Sequence, residues 1–221
     1  MEIGRRKFLN LSLAGGISLL YLPVNANPLL SIRKKPKYHL SLDTPTRLFD
    51  EKRRSWVHPR AGIVPGAGKN GLPRVVMTMN IISGSDVFNE VYGLHTDDLG
   101  LTWTDPELFE TMAPRYEMIN GARLPVAVSD FWPQWHSKSK LLLGTGHTVV
   151  YSADFEFTAG IRPRQTTYSF YNPLADSWDP WQKMEMPDPK KFFSAGAGST
   201  QRYDLEDGTI LLPVYFTPPG G

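Results

Sequence analysis

Thr96-Asp97-Asp98-Leu99-Gly100-Leu101-Thr102-Trp103 governs how the rest of the chain is read, because its polar and glycine positions suit a tight turn. A carboxylate at Asp98 accepts hydrogen bonds from turn N–H groups, Gly100 takes the positive φ that side chains resist, and Trp103 lays a ring over the hairpin. Such a segment joins two β-strands rigidly. A structural role is therefore predicted for Thr96, Asp98, Gly100, Thr102 and Trp103.

On either side of this turn, from Leu40 onward, the chain consists of short apolar runs separated by turn residues, with no long stretch of helical period. Strands are predicted at Arg74 to Ile82, Glu90 to His95, Leu141 to Leu143, Thr148 to Tyr151, Thr166 to Tyr171 and Thr209 to Phe216. Several are rich in the β-branched and aromatic residues that suit a pleated sheet. Gly144-Thr145-Gly146-His147 is predicted to be a hairpin turn between two of them. Asn172-Pro173-Leu174-Ala175-Asp176-Ser177-Trp178 is a degenerate echo of the first turn, again closing on Trp.

The segment Thr96 to Trp103 resembles the Asp box, (Ser or Thr)-x-Asp-x-Gly-x-Thr-Trp, of sialidases and related β-propellers, at every fixed position. Two weaker likenesses follow in the family's order: the Gly-rich Ser194-Ala195-Gly196-Ala197-Gly198, then Asp207-Gly208-Thr209-Ile210-Leu211-Leu212-Pro213. The resemblance implies an all-β fold, a sialidase-like propeller of six blades when complete. It also implies that the Asp box is structural and lies away from the catalytic face. Residues 40–221 supply about three blades of the four to eight that close a ring, so the chain is expected to be the N-terminal part of a longer propeller.

Sialidases hold a substrate carboxylate with three Arg and use Asp as acid/base. The resemblance maps the first Arg onto Arg60, in His58-Pro59-Arg60-Ala61-Gly62-Ile63-Val64-Pro65, where an ordinary surface Arg in a Gly/Pro loop is the competing reading. No Arg stands in Met77-Thr78-Met79-Asn80-Ile81, where a second is expected, which weakens sialic acid as substrate more than it weakens the fold. Asp86 falls in the region of the family's acid/base Asp, with loop capping as its alternative role. In Ser129-Asp130-Phe131-Trp132-Pro133-Gln134-Trp135-His136, a loop in this reading, Asp130 is a substrate-binding candidate. Trp132 and Trp135 are candidate sugar platforms, one of them expected to belong to the core. His147 is a candidate general base.

Three functions stay open at this point. A sialidase-like exo-glycosidase would hydrolyse a terminal sugar, acidic or neutral; a non-catalytic propeller would bind a glycan or a protein; a propeller polysaccharide lyase would use His147 as base. None of them needs a cofactor. The five His, at 39, 58, 95, 136 and 147, form no metal-ligand pattern, and the absence of Cys excludes disulfides and thiolate sites.

Gly4-Arg5-Arg6-Lys7-Phe8-Leu9 leads into an apolar run and the small-residue site Val24-Asn25-Ala26. This resembles a twin-arginine signal peptide, so residues 1–26 are expected to be a removed signal, residues 27–39 a linker, and the mature protein periplasmic or secreted with no membrane span. Setting aside Arg5, Arg6, Lys7 and Glu2 leaves 21 basic and 21 acidic residues, a neutral body without the basic stripe that nucleic acid requires. A carbohydrate is the expected partner.

Overall fold

The computed structural model describes residues 40–48, 54–84, 86–158 and 162–219. The expected signal and linker, residues 1–39, lie outside them. The chain divides into two units, 1–42 and 43–221; of the first, only the exposed Leu40–Leu42 are described.

In the second unit the described regular structure is β, apart from two single-turn 3₁₀ segments at Lys69–Gly71 and Glu110–Met112. Strands β1 (Ser55–Val64), β2 (Arg74–Ile82), β3 (Phe88–Thr96) and β4 (Glu107–Leu108) form an antiparallel sheet in chain order. A second antiparallel sheet follows, of β5 (Arg115–Ile119), β6 (Ala122–His136), β7 (Leu141–Val150) and β8 (Thr166–Asn172). The short β9 (Ser177–Trp178) and β10 (Gln182–Lys183) both pair with β8. Two small pairs complete the unit: β11 (Ser194–Gly196) with β14 (Tyr215–Thr217), and β12 (Tyr203–Asp204) with β13 (Ile210–Leu211).

Val64, Val76 and Val91 from the first sheet and Val126, Val128, Phe131, Leu142, Val150, Tyr171 and Trp178 from the second belong to one buried core, joined by Met112 and Trp181. Removing this apolar surface from water is the main stabilising term. Close approach of the sheets depends on Gly62, where a Cβ would stand 2.7 Å from Leu142 and 2.8 Å from Pro133. Hydrogen bonds then fix the register between them: the buried Thr78 Oγ1 donates to the Phe131 carbonyl (2.9 Å), and Asn80 Nδ2 donates to the Val128 carbonyl (3.2 Å).

Three expectations are corrected here. Gly144 to His147 is not a turn but the middle of β7, because the Phe131 ring lies where Cβ atoms would otherwise be: 2.1 Å from one built at Gly144 and 3.3 Å from one at Gly146. The glycines serve packing, not turning. Ser129 to His136 is not a loop but the second half of β6, interrupted by a bulge. Thr209 to Phe216 is two short strands with a break at Leu212–Val214.

The turn from Thr96 to Trp103 joins β3 to the segment leading into β4. Asp98 accepts from the Thr102 hydroxyl (2.6 Å), the Thr102 N–H (2.8 Å), the Thr96 hydroxyl (2.9 Å) and Lys69 Nζ (3.3 Å). Gly100 has φ +89° and donates its N–H to Thr96 Oγ1 (2.9 Å); Trp103 is half-buried. The echo at residues 172–178 is also a turn, with Asn172 Oδ1 accepting from the N–H groups of Leu174 and Ala175. Arg74 ties the two turns together: its guanidinium pairs with Asp97 through bonds of 2.7 and 2.9 Å and donates to the Pro173 carbonyl (3.0 Å).

These bonds hold two carboxyls below the ordinary range, Asp98 chiefly through the Thr102 hydroxyl and Asp97 chiefly through Arg74. A depressed folded-state pKa stabilises above the unfolded value, about pH 4, and the contribution is lost as pH falls through the folded values. Thermal melts should therefore show Tm dropping below about pH 4, and Asp98→Asn should lower Tm at neutral pH while flattening that acid limb. An acid limb unchanged by Asp98→Asn would remove the turn as its source.

Candidate functional site

Two bulges face one another across the sheets. In β1 the pairing with β2 slips between Val57 and Arg60, and in β6 the pairing with β7 slips between Ser129 and Trp132. A bulge re-aims side chains that a regular strand would send to alternating faces. Pro59 makes the first intelligible, since it has no N–H for the ladder. His58 (φ +53°) and Asp130 (φ +51°) occupy the bulges in left-handed conformation, and Ser199 (φ +56°) comes up beside them from the segment after β11. Three non-glycine residues in this sparsely populated region at one place is the kind of backbone strain that accompanies function.

The side chains converge on Asp130. Ser199 Oγ donates to Asp130 Oδ1 (2.7 Å), while Arg60 Nη2 stands 3.8 Å from that oxygen and donates to Ser199 Oγ (3.3 Å). The Arg60 guanidinium lies 5.2 Å from the Trp132 ring centre, oriented by an aromatic face. His58 Nδ1 approaches Asp130 Oδ1 at 3.4 Å without hydrogen-bond geometry, and its ring packs on Phe88 at 4.8 Å. Buried polar atoms normally find partners. Among the described residues six buried side-chain atoms have none, and three of them, His58 Nδ1, Arg60 Nε and Ser129 Oγ, lie at the bulges.

Behind this cluster His147, on β7 and 6% exposed, places Nδ1 3.3 Å from the Tyr215 hydroxyl. Gly198 closes over it, since a Cβ there would sit 1.8 Å from His147 Nδ1 and 2.9 Å from Asp130 Cβ. Burial first, and then the positive charge of Arg164, pulls the His147 pKa down to about 4, against the opposing pull of Asp130. The imidazole is neutral at physiological pH and able to accept a proton. Burial raises the Tyr215 phenol, Arg164 opposing it, so the phenol keeps its proton. Arg164 Nη1 donates to the Tyr215 hydroxyl at 3.4 Å.

Asp86 belongs to the loop between β2 and β3, beside this cluster and not in its contacts. It is exposed, at φ +54°, and its carbonyl accepts from the buried Tyr151 hydroxyl (3.1 Å), which in turn accepts the Phe88 N–H (2.8 Å). Tyr151 thereby holds the loop whose Phe88 supports His58. The Asp-box turn lies at the other end of β2, about 25 Å away for eight residues of extended strand.

Arg60, Asp130 and Trp132 thus come together, joined by His147 through Gly198. Arg60 and Asp130 were expected in loops and are in bulged strands instead. Trp135 is half-buried and packs against the core, so of the two tryptophans only Trp132 faces the cluster's arginine. Sequence reasoning did not single out His58, Arg164, Ser199 or Tyr215. Pro59 inside a strand signalled the first bulge, but nothing in the sequence joins Arg60 to Ser199 across 139 positions. Among the described residues no group of His, Asp and Glu could hold a metal ion. No helix among them is long and apolar enough to cross a membrane. No family model matches the chain, and comparison with curated proteins found no match.

Proposed function

We propose that this protein is a sialidase-like β-propeller hydrolase that removes a terminal acidic sugar from a glycan, with the two sheets as successive blades. The observation that carries the reading is the convergence of Arg60, Asp130, Ser199 and Trp132 at the facing bulges, with buried polar atoms left unpartnered. Arg60 is a bidentate donor suited to a sugar carboxylate, and its ion pair with Asp130 is a single contact of 3.8 Å from Nη2 to Oδ1. Asp130 accepts sugar hydroxyls, Trp132 lines the wall, and Asp86 on the flanking loop supplies the proton to the leaving oxygen. The Asp box stays remote from the reaction as a turn.

Activity of the full chain on aryl glycosides of acidic and neutral sugars tests this. Arg60→Gln should raise KM for acidic substrates about ten-fold or more and leave neutral ones alike. Asp86→Asn should cut kcat about 100-fold with Tm unchanged. Equal turnover of neutral and acidic glycosides would overturn Arg60 as anchor. Unchanged kcat in Asp86→Asn would overturn the proton donor.

The His147–Tyr215 pair favours a second reading, elimination from a uronate-containing polysaccharide. There the neutral His147 imidazole takes the proton beside the carboxylate, the C–O bond to the leaving sugar breaks, the protonated Tyr215 phenol gives its proton to the leaving oxygen, and a C=C bond forms. An ultraviolet-absorbing unsaturated product, lost in His147→Gln, would select this reading. A saturated product selects hydrolysis.

A further inference from the structure

A cleft of about 240 Å³ is lined by Arg162, Arg164, Phe157, Thr148, Ser194 and Thr217 among others, and its Arg164 also reaches the Tyr215 hydroxyl beside His147. Two guanidinium groups share it, and among the described residues no carboxylate lines it. Among the described residues neither arginine has a carboxylate at ion-pair distance. Each arginine is instead held in place by neutral groups. Arg162 donates to the Val150 carbonyl and lies 4.3 Å from the Phe157 ring centre; Arg164 lies 5.5 Å from the Tyr215 ring centre and donates to its hydroxyl. The Arg164 side chain is confined further by Gly196, where a Cβ would come within 2.8 Å of its Cδ.

Two like charges oriented into one cleft repel each other and are costly without a counter-charge. Burial lowers Arg162 from the usual arginine range, Tyr151 opposing it and the neighbouring Arg164 adding to it. The hydroxyls of Thr148, Ser194 and Thr217 add further polar lining. Phe157, 46% exposed, offers an apolar wall to a sugar ring.

We propose that this cleft is a second anion subsite, binding the carboxylate or sulfate ester of the sugar next to the one held at Arg60, in the same glycan. Tyr215 stands between the two positions, its hydroxyl touching both His147 and Arg164. The inference rests on the reading of Arg60 as the anchor for the first sugar. It makes the substrate class a glycan with anionic groups on adjacent residues.

The test uses the full chain and three disaccharides of one backbone, sharing an acidic terminal sugar: the second sugar neutral, bearing a carboxylate, or bearing a sulfate. Calorimetry should give about ten-fold or tighter binding for the two charged forms than for the neutral one. Carboxylate and sulfate arms then separate the two sources of the anion. Arg162→Gln should weaken the charged disaccharides about ten-fold, leave the neutral one within two-fold, and leave aryl monosaccharide kinetics as in wild type. Since Arg162 also bonds the Val150 carbonyl, Thr217→Glu provides a second arm. It places a repelling carboxylate in the cleft and should abolish the preference for charge while leaving that bond intact. Equal affinity for neutral and charged forms, or charged affinity unchanged in both variants, overturns the subsite. Failure of Arg60 as anchor appears separately, as unchanged monosaccharide KM in Arg60→Gln.

Discussion

Phe131→Ala is expected to cost about 3–5 kcal/mol, the range for emptying an aromatic site in a packed core. Its ring is 2% exposed, meets Trp178 edge-on at 4.9 Å, and fills the space left open by Gly144 and Gly146. Neither glycine has a side chain to move into the void, so relaxation is limited and the cost belongs at the upper end. For a chain of this size that corresponds to a Tm lower by roughly 10 °C or more. Phe131 sits within the β6 bulge, flanked by Asp130 and Trp132, where its backbone carbonyl accepts the Thr78 hydroxyl. A variant melting within about 2 °C of wild type would overturn that cost.

Gly198→Ala is expected to be the most damaging single-methyl change, about 3 kcal/mol, at the upper end of overpacking effects. The added carbon would meet His147 Nδ1 at 1.8 Å and Cε1 at 2.3 Å, and the imidazole is packed on a central strand. Activity should fall with stability, since both His147 and Asp130 must yield. Combining Gly198→Ala with His147→Ser removes the obstructing ring, and a double-mutant cycle should return a favourable coupling of about 1 kcal/mol or more. Gly84→Ala is the control, its new methyl 3.7 Å from Val87. Additive effects in the cycle would place the clash elsewhere.

How much of this was legible in the sequence depends on whether the informative residues were local. Arg74 to Ile82 was read as a strand with the bounds it has, because its apolar run contains no breaker. The Asp-box turn was legible because the hydrogen-bonding partners of its central Asp98, except Lys69, lie within the motif. The glycines of β7 misled for the opposite reason: their role is set by a ring 13 positions away from Gly144, and local turn chemistry is the only reading a glycine pair offers in isolation. β1 was hidden by Pro59 and Gly62, both of which act as breakers until a bulge and a facing sheet explain them. The candidate site divides in the same way. Arg60, Asp130 and Trp132 came from motif position, whereas Ser199, Tyr215 and Arg164 reach them only through β11 and β14, whose three-residue strands carry no periodic signal.

Arg74 has a consequence for how the protein opens in solution. It begins β2 in one sheet, yet its guanidinium is bound to Asp97 in that sheet's turn and to Tyr171 and Pro173 at the end of β8 in the other. Along the same strand, Thr78 and Asn80 bond the β6 backbone. Neither sheet can therefore swing free without breaking a charged pair and buried hydrogen bonds together. In amide hydrogen exchange, the central strands β2 and β7 should protect their protons to one shared opening free energy, as a single foldon and not as two independently breathing layers. Arg74→Met, which keeps much of the apolar stem and loses the fork, should split that single value into two.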